Sequence, residues 1–191
     1  MSSVKYVFFI ILPIILQTAR ADSTCPDIIS RSQWSAKTAK FDNFLIPPLQ
    51  YVVIHHTATP ECETRSQCTN RVKNIQSYHM DELKWSDIGY SFLIGGDGNV
   101  YEGVGWKKEG AHTYGYNKKS AGLAFIGSYE DKKASEKMLT AAHKLILCGK
   151  SEGALRPDVK VIAGRQVVSI ISPGMELYNQ IQNWPEWTSE V

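Results

Sequence analysis

Tyr51-Val52-Val53-Ile54-His55-His56-Thr57 is a β-branched and aromatic run that ends in two histidines. Such a run reads as a buried strand. Neighbours on a strand point to opposite faces, so His55 and His56 are not expected to serve one site unless the strand end twists or bulges. Working outward, residues 22–50 read as an irregular arm ending in Pro47-Pro48, and Cys62 to Cys68 as a polar loop. Val72, Ile75 and His79 fall at helical spacing within Thr69 to Met80, which predicts an amphipathic helix. Tyr90–Ile94 and Val100–Val104 are short strands, and the turn cluster Gly95 to Asn99 between them predicts a hairpin. Ala121–Ile126 and Val159–Ala163 are two more strands. Ser135 is placed to cap a helix with inner residues Met138, Leu139, Ala142, Leu145 and Ile146, and Gly149 to end it. Met175 to Asn183 is a last helix before Pro185. Alternating strands and helices with one antiparallel hairpin predict a mixed α/β (α+β) domain, a central mixed sheet flanked by helices.

The first 21 residues read as a signal peptide. Lys5 supplies a small basic start, Tyr6 to Leu16 an apolar run, and Ala19-Arg20-Ala21 a small-x-small cleavage pattern. The run is short of the ~20 residues a bilayer span needs, so secretion is expected, not a membrane anchor. Residues 22–191 are then a single domain. Cleavage removes two of the 21 cations and leaves 19 against 19 acids. A chain without net positive charge is a poor candidate for nucleic acid or an anionic membrane. The even set Cys25, Cys62, Cys68 and Cys148 suggests two disulfides in an oxidising compartment, with three possible pairings. Their spacing matches no zinc-finger pattern.

The candidate chemistry lies in histidines and aromatics. His79 sits on the apolar face of its helix, His112 in the loop Gly110-Ala111-His112-Thr113, and His143 on a surface. Trp85, Tyr90, Trp106, Tyr114 and Tyr116 cluster in the sequence between the first helix and the strand at Ala121. With no nucleotide motif, an aromatic and amide-rich cleft in a secreted protein suits a sugar or a peptide.

The stretches His55-His56-Thr57, His79-Met80, Trp85 to Tyr90, Phe92 to Gly98, Val100 to Gly103, Gly110 to His112, Tyr116-Asn117, Ser172 to Gly174 and Trp184-Pro185 occur in an order and spacing that resemble the peptidoglycan recognition proteins. The likeness runs from about Ile29 to Trp187 and is nearest to short secreted insect members of the SA type. It implies a sheet-and-helix fold related to the phage amidases and the pairings Cys62–Cys68 and Cys25–Cys148. Catalytic members of the family are zinc amidases with two histidines and a cysteine on the metal, three protein ligands with one open position. Carried onto this chain, the first ligand matches His55, the second falls on Gly164 and the third on Ser172; the assisting tyrosine matches Tyr90. The resemblance therefore implies a binder and not an amidase, with His55 and Tyr90 as remnants and no metal or other cofactor. Its groove would use His56, Thr57, His79, Trp85, Tyr90, His112 and Asn117 to hold bacterial peptidoglycan.

Ser172 before Pro173 is read as the N-cap of the last helix, ahead of a serine nucleophile in a carboxypeptidase. Members that prefer diaminopimelate-type wall carry Gly-Trp where this chain has Lys84-Trp85, and an arginine where it has Val104, so Trp85 speaks for that wall and Val104 against it. Without that arginine the extra carboxylate loses a bidentate partner, which favours lysine-type wall of Gram-positive bacteria, although Lys84, Lys107 and Lys108 are near in sequence. Recruitment of serine-protease cascade proteins upstream of Toll-type activation is implied by the family alone.

Overall fold

A computed structural model describes residues 25–191. The expected signal peptide lies outside the described residues. In chain order the elements are β1 (Ile28–Ile29), β2 (Leu49–His56), α1 (Arg65–Ser77) continued by a π-helical turn (Tyr78–Glu82), β3 (Phe92–Ile94), β4 (Val100–Glu102), β5 (Ser120–Phe125), α2 (Glu136–Ser151), β6 (Leu155–Ala163), α3 (Gly164–Val167) and α4 (Met175–Ile181). Six strands form one sheet in the order β1-β4-β3-β5-β2-β6. Only the β3–β4 hairpin is antiparallel; β2 runs parallel to β5 on one edge and to β6 on the other. The mixed sheet flanked by helices is the expected class.

The two-residue period of the strands divides the core. Val52, Ile54, Phe92, Ile94, Leu123 and Phe125 pack on one face with Met138, Ala142, Leu145, Ile146, Leu177 and Ile181 of α2 and α4. Leu93 and Ala124 pack on the other with Val72 and Ile75 of α1 and Trp34 of the N-terminal arm. Burial on both faces is why β2 reads as a continuous apolar run.

The arm is less irregular than expected. Ile28 and Ile29 pair with Val100 and Tyr101, and Trp34 is fully buried with its indole N–H donating to the Glu102 carbonyl at 2.8 Å. A two-residue strand is too short to show a period, so the sequence hid it. Helix α1 starts earlier than Thr69, because Thr64 caps it by accepting from the Gln67 N–H at 3.3 Å. Gly149 does not end α2. A Cβ there would lie 2.8 Å from Leu155 and 3.0 Å from Trp106, so glycine serves close packing. The stop is Gly153, at φ +70°, where a left-handed residue closes the helix. His143 is not plain surface: its Nε2 lies 3.1 Å from the Glu186 carboxylate, which Lys150 also contacts at 3.2 Å.

The disulfides are Cys25–Cys148 and Cys62–Cys68. The first ties the arm to α2. An ion pair between half-buried Arg31 and buried Asp87 ties it to the other side: Arg31 Nη2 lies 2.8 Å from Asp87 Oδ2, while Asp87 Oδ1 accepts from Gln76 Nε2 and from the Ile88 N–H, both at 2.7 Å. These bonds fix the 86–90 loop that carries Tyr90. Removing one member of such a network leaves its partners uncompensated. Asp87→Ala is expected to lower stability by about 3 kcal/mol in urea denaturation; an unchanged midpoint would show that the network does not hold the loop.

Candidate functional site

The site lies at the carboxyl end of β2, on the face shared with α1. His55 points to this face, where its ring centroid lies 5.9 Å from Tyr90 and 5.6 Å from His112. Tyr90 in turn lies 5.7 Å from His79, and His79 stacks on Trp85 at 4.7 Å. A row of aromatic and imidazole rings thus runs His112, His55, Tyr90, His79, Trp85.

Backbone geometry holds the row. The π-helical turn after α1 presents His79, whose Nδ1 accepts from the Gly89 N–H at 3.0 Å. Gly89 must lack a side chain because a Cβ would sit 2.6 Å from the Trp85 ring. His112 lies over Gly122 of β5, where a Cβ would come within 2.4 Å of its ring. Asn117 clamps the 110–117 loop: its Oδ1 accepts from the His112 and Thr113 N–H groups at 3.0 and 2.8 Å.

Beneath the row runs a chain of hydrogen bonds that the sequence did not disclose. Ser172 Oγ accepts from the His56 N–H at 3.0 Å and lies 3.3 Å from His55 Nδ1. His55 Nε2 lies 2.9 Å from Thr113 Oγ1, which lies 3.0 Å from His112 Nδ1. One direction satisfies the most groups. Ser172 O–H donates to His55 Nδ1, His55 Nε2–H to Thr113, and Thr113 O–H to His112 Nδ1. That leaves His112 Nε2–H as a buried donor with no partner. Thr113 was missed; its place beside His112 was the only signal.

Burial keeps these imidazoles neutral. It pushes His79 down to about 4 against the opposing pull of the Asp87 carboxylate, and His112 down to about 4. His55 is held well below the usual histidine range, by burial first and then by His112 and His56. Burial also pushes the Tyr90 hydroxyl up to about 12, so it stays a donor.

The expected residues do not all meet. Thr57, His79 and Tyr90 line one cavity of about 480 Å³ together with Ala58, Thr59, Arg71, Asn74, Ile75 and Tyr78. Ile75 belongs to the apolar spacing already read; Arg71 and Asn74 on α1 and Tyr78 on the π-helical turn were missed, because polar and exposed positions on a helix carry no pattern of their own. His56 is not in this row. Strand alternation turns it to the α2 face, where its Nδ1 accepts from the Tyr129 N–H at 3.2 Å. Ser172 is not the N-cap of α4. That position is Gly174, and the Ser172 side chain turns instead to β2.

Gly164 abuts His55: a Cβ there would lie 2.6 Å from His55 Cε1 and 3.0 Å from Ile170 Cδ1. His55, Gly164 and Ser172 are therefore adjacent in space. Among the described residues, the one group of three histidine, cysteine or acidic side chains with ligand atoms within 4.8 Å is Cys25, Cys148 and Glu152, whose two sulfurs are bonded to each other.

A mixed sheet with a polar and aromatic cleft between the carboxyl end of β2 and α1 defines a class. The N-acetylmuramoyl-L-alanine amidase family model matches residues 46–175. Peptidoglycan-recognition protein SA of Drosophila melanogaster is 49% identical over 170 residues, covering 89% of this chain and 84% of that protein. The X-ray structure of bumblebee PGRP-SA is 62% identical with a TM-score of 0.85, over 86% of this chain and 98% of that one. Peptidoglycan recognition protein LE, solved in complex with tracheal cytotoxin, a monomeric diaminopimelic acid-type peptidoglycan, is 40% identical with a TM-score of 0.84, over 85% of this chain and 96% of that one. The chain belongs to the peptidoglycan recognition protein family.

Acid should loosen the site. Histidines neutral in the fold down to about pH 4 bind protons near 6.5 when unfolded, so the unfolded chain takes up more protons between those values. Stability is full above about pH 6.5 and falls as pH drops toward 4. Melting temperature is expected to decline over that window, less steeply in His79→Gln; a flat profile would contradict the buried neutral imidazoles.

Proposed function

We propose that this chain is a secreted innate-immune receptor that binds bacterial peptidoglycan without hydrolysing it. The observation that carries the reading is the row of neutral rings beside a cleft of hydroxyls and amides. A glycopeptide offers amides, hydroxyls and apolar ring faces. Neutral imidazole, hydroxyl and amide side chains pair with the first two, and Trp85 and Tyr90 supply area for the third. The complex of the 40% identical relative with a monomeric peptidoglycan supports this ligand class. In the groove we assign Thr57, His79, Trp85, Tyr90 and His112 to ligand contact. Asn117 acts by holding the His112 loop, and His56 by bracing the 129–130 turn. No helix among the described residues is long and apolar enough to cross a membrane.

Catalytic zinc does not fit the residues present. The metal needs three protein donors; Gly164 has none, and a neutral hydroxyl at Ser172 is a poor substitute for a thiolate. Ile170 and the His55 ring take up the space that a side chain at 164 would need. Without those two donors, His55 bonds within the Ser172–Thr113 chain.

Lysine-type wall is the ligand we favour. Val104 is buried in the α1-side core and offers no charge. Lys108 is engaged with Asp42 at 2.9 Å, and Lys84 Nζ donates to the Asp81 carbonyl, so neither is a free replacement for an arginine. Downstream, the bound receptor would recruit proteins of a Toll-type serine-protease cascade.

A second reading is favoured by one contact. Ser172 Oγ lies 3.3 Å from His55 Nδ1, and Thr113 orients the ring from the other side, an arrangement that activates a serine nucleophile. A stem-peptide carboxypeptidase would release D-alanine, and Ser172→Ala would abolish the release. No D-alanine from the wild-type protein removes this reading.

Binding itself is tested by pull-down on insoluble lysine-type peptidoglycan. His79→Ala and Tyr90→Ala are each expected to weaken retention about tenfold, from loss of a hydrogen bond and ring area. Unchanged retention in both variants would refute the groove.

A further inference from the structure

Arg71 stands on α1 one turn before Asn74 and two before Tyr78, on the stripe that faces the groove. It borders two cavities. One, of about 480 Å³, runs past Thr57, His79 and Tyr90. The other, of about 500 Å³, lies beside Glu61, Glu63 and Asn70. Arg71 and Asn74 line both, so the two hollows adjoin along this stretch of α1.

The charge there has no internal partner. Arg71 Nε is buried and makes no hydrogen bond, and no carboxylate pairs with the guanidinium among the described residues. The two acids of the second cavity are engaged elsewhere, Glu61 with Lys132 at 2.8 Å and Glu63 with Lys137 at 3.5 Å. A buried donor without an acceptor is uncommon, because leaving it so costs its hydration. A guanidinium presents Nε–H and Nη–H as a fork that fits the two oxygens of a carboxylate. The cleft's other polar groups are neutral amides, hydroxyls and imidazoles, so Arg71 is the group placed to read negative charge.

We infer that Arg71 is a specificity residue that pairs with a free carboxylate of the peptidoglycan stem peptide. The inference rests on the peptidoglycan reading above. A lysine-type stem has no third-residue carboxylate, which leaves two candidates: the α-carboxylate of the γ-linked D-glutamate and the terminal carboxylate of D-alanine. Amidation of either removes the charge and converts one acceptor oxygen to a donor that faces the fork. The site therefore distinguishes amidated from unamidated wall.

The test titrates the full chain with four lysine-type muramyl tetrapeptides: both carboxylates free, each one amidated alone, and both amidated. Wild-type affinity is expected to be at least about tenfold higher for the free form than for the doubly amidated form. Arg71→Gln should remove that difference while binding the doubly amidated ligand as the wild type does. Arg71→Lys, which keeps charge but loses the fork, should fall between. The singly amidated ligands show which carboxylate is read. Equal loss on all four ligands, or none, in Arg71→Gln would overturn the inference while leaving the receptor reading intact. A wild-type protein that binds none of the four would overturn both.

Discussion

Strand β2 hydrogen-bonds to parallel neighbours on both edges, and its two-residue period then decides where the functional side chains stand. Val52 and Ile54 are buried against α2 and α4, which locks the register; a slip by one residue would drive the histidines into the wrong layer. With the register set, His55 must face α1 and His56 must face Tyr129. Everything at the site follows from the first of these. His55 lies within reach of Ser172, Thr113, Tyr90 and His112 because the loop before β3, the 110–117 loop before β5 and the segment after α3 converge on this face of the sheet.

The resulting pocket sets neutral polar side chains among apolar surface, with Arg71 as its one charged lining residue. Desolvation suppresses protonation of the imidazoles, and Tyr90 keeps its proton. Such a surface suits the proposed glycopeptide ligand, which it would hold by hydrogen bonds and ring faces, not by a field. On the proposed reading the same neutrality leaves zinc chemistry no foothold: by the family resemblance Gly164 and Ser172 fall where two donors would stand, and Ser172 Oγ instead contacts the His55 ring and accepts from the His56 backbone N–H. Arg71 is the exception to neutrality, a single charge at the junction of two hollows.

Much of this was legible in the residues. The β-branched run at 51–57, the turn cluster at 95–99 and the helical spacing from Met138 to Ile146 each report a local preference, and each element formed where its pattern lies. His79, Trp85, Tyr90 and His112 are grouped through the family resemblance; the rings of the first three meet directly, and His112 joins them only through His55. What the sequence concealed depends on tertiary contact. Two residues of β1 carry no period. Gly149 looked like a helix stop because a close approach by Leu155 and Trp106 is invisible in one dimension. Ser172-Pro173 had the composition of a helix cap, yet the serine turned toward a strand more than a hundred positions earlier. Thr113 and Arg71 are ordinary residues until the fold sets one between two imidazoles and the other between two cavities.

The central claim is recognition without zinc-dependent hydrolysis. Its most direct test is calorimetric titration of the purified chain, with metal content measured, against a lysine-type muropeptide in added zinc, followed by analysis of the ligand recovered. The account requires saturable binding, no stoichiometric zinc in the protein, and a ligand whose muramyl–L-alanine bond is intact. Stoichiometric zinc together with released stem peptide would contradict it.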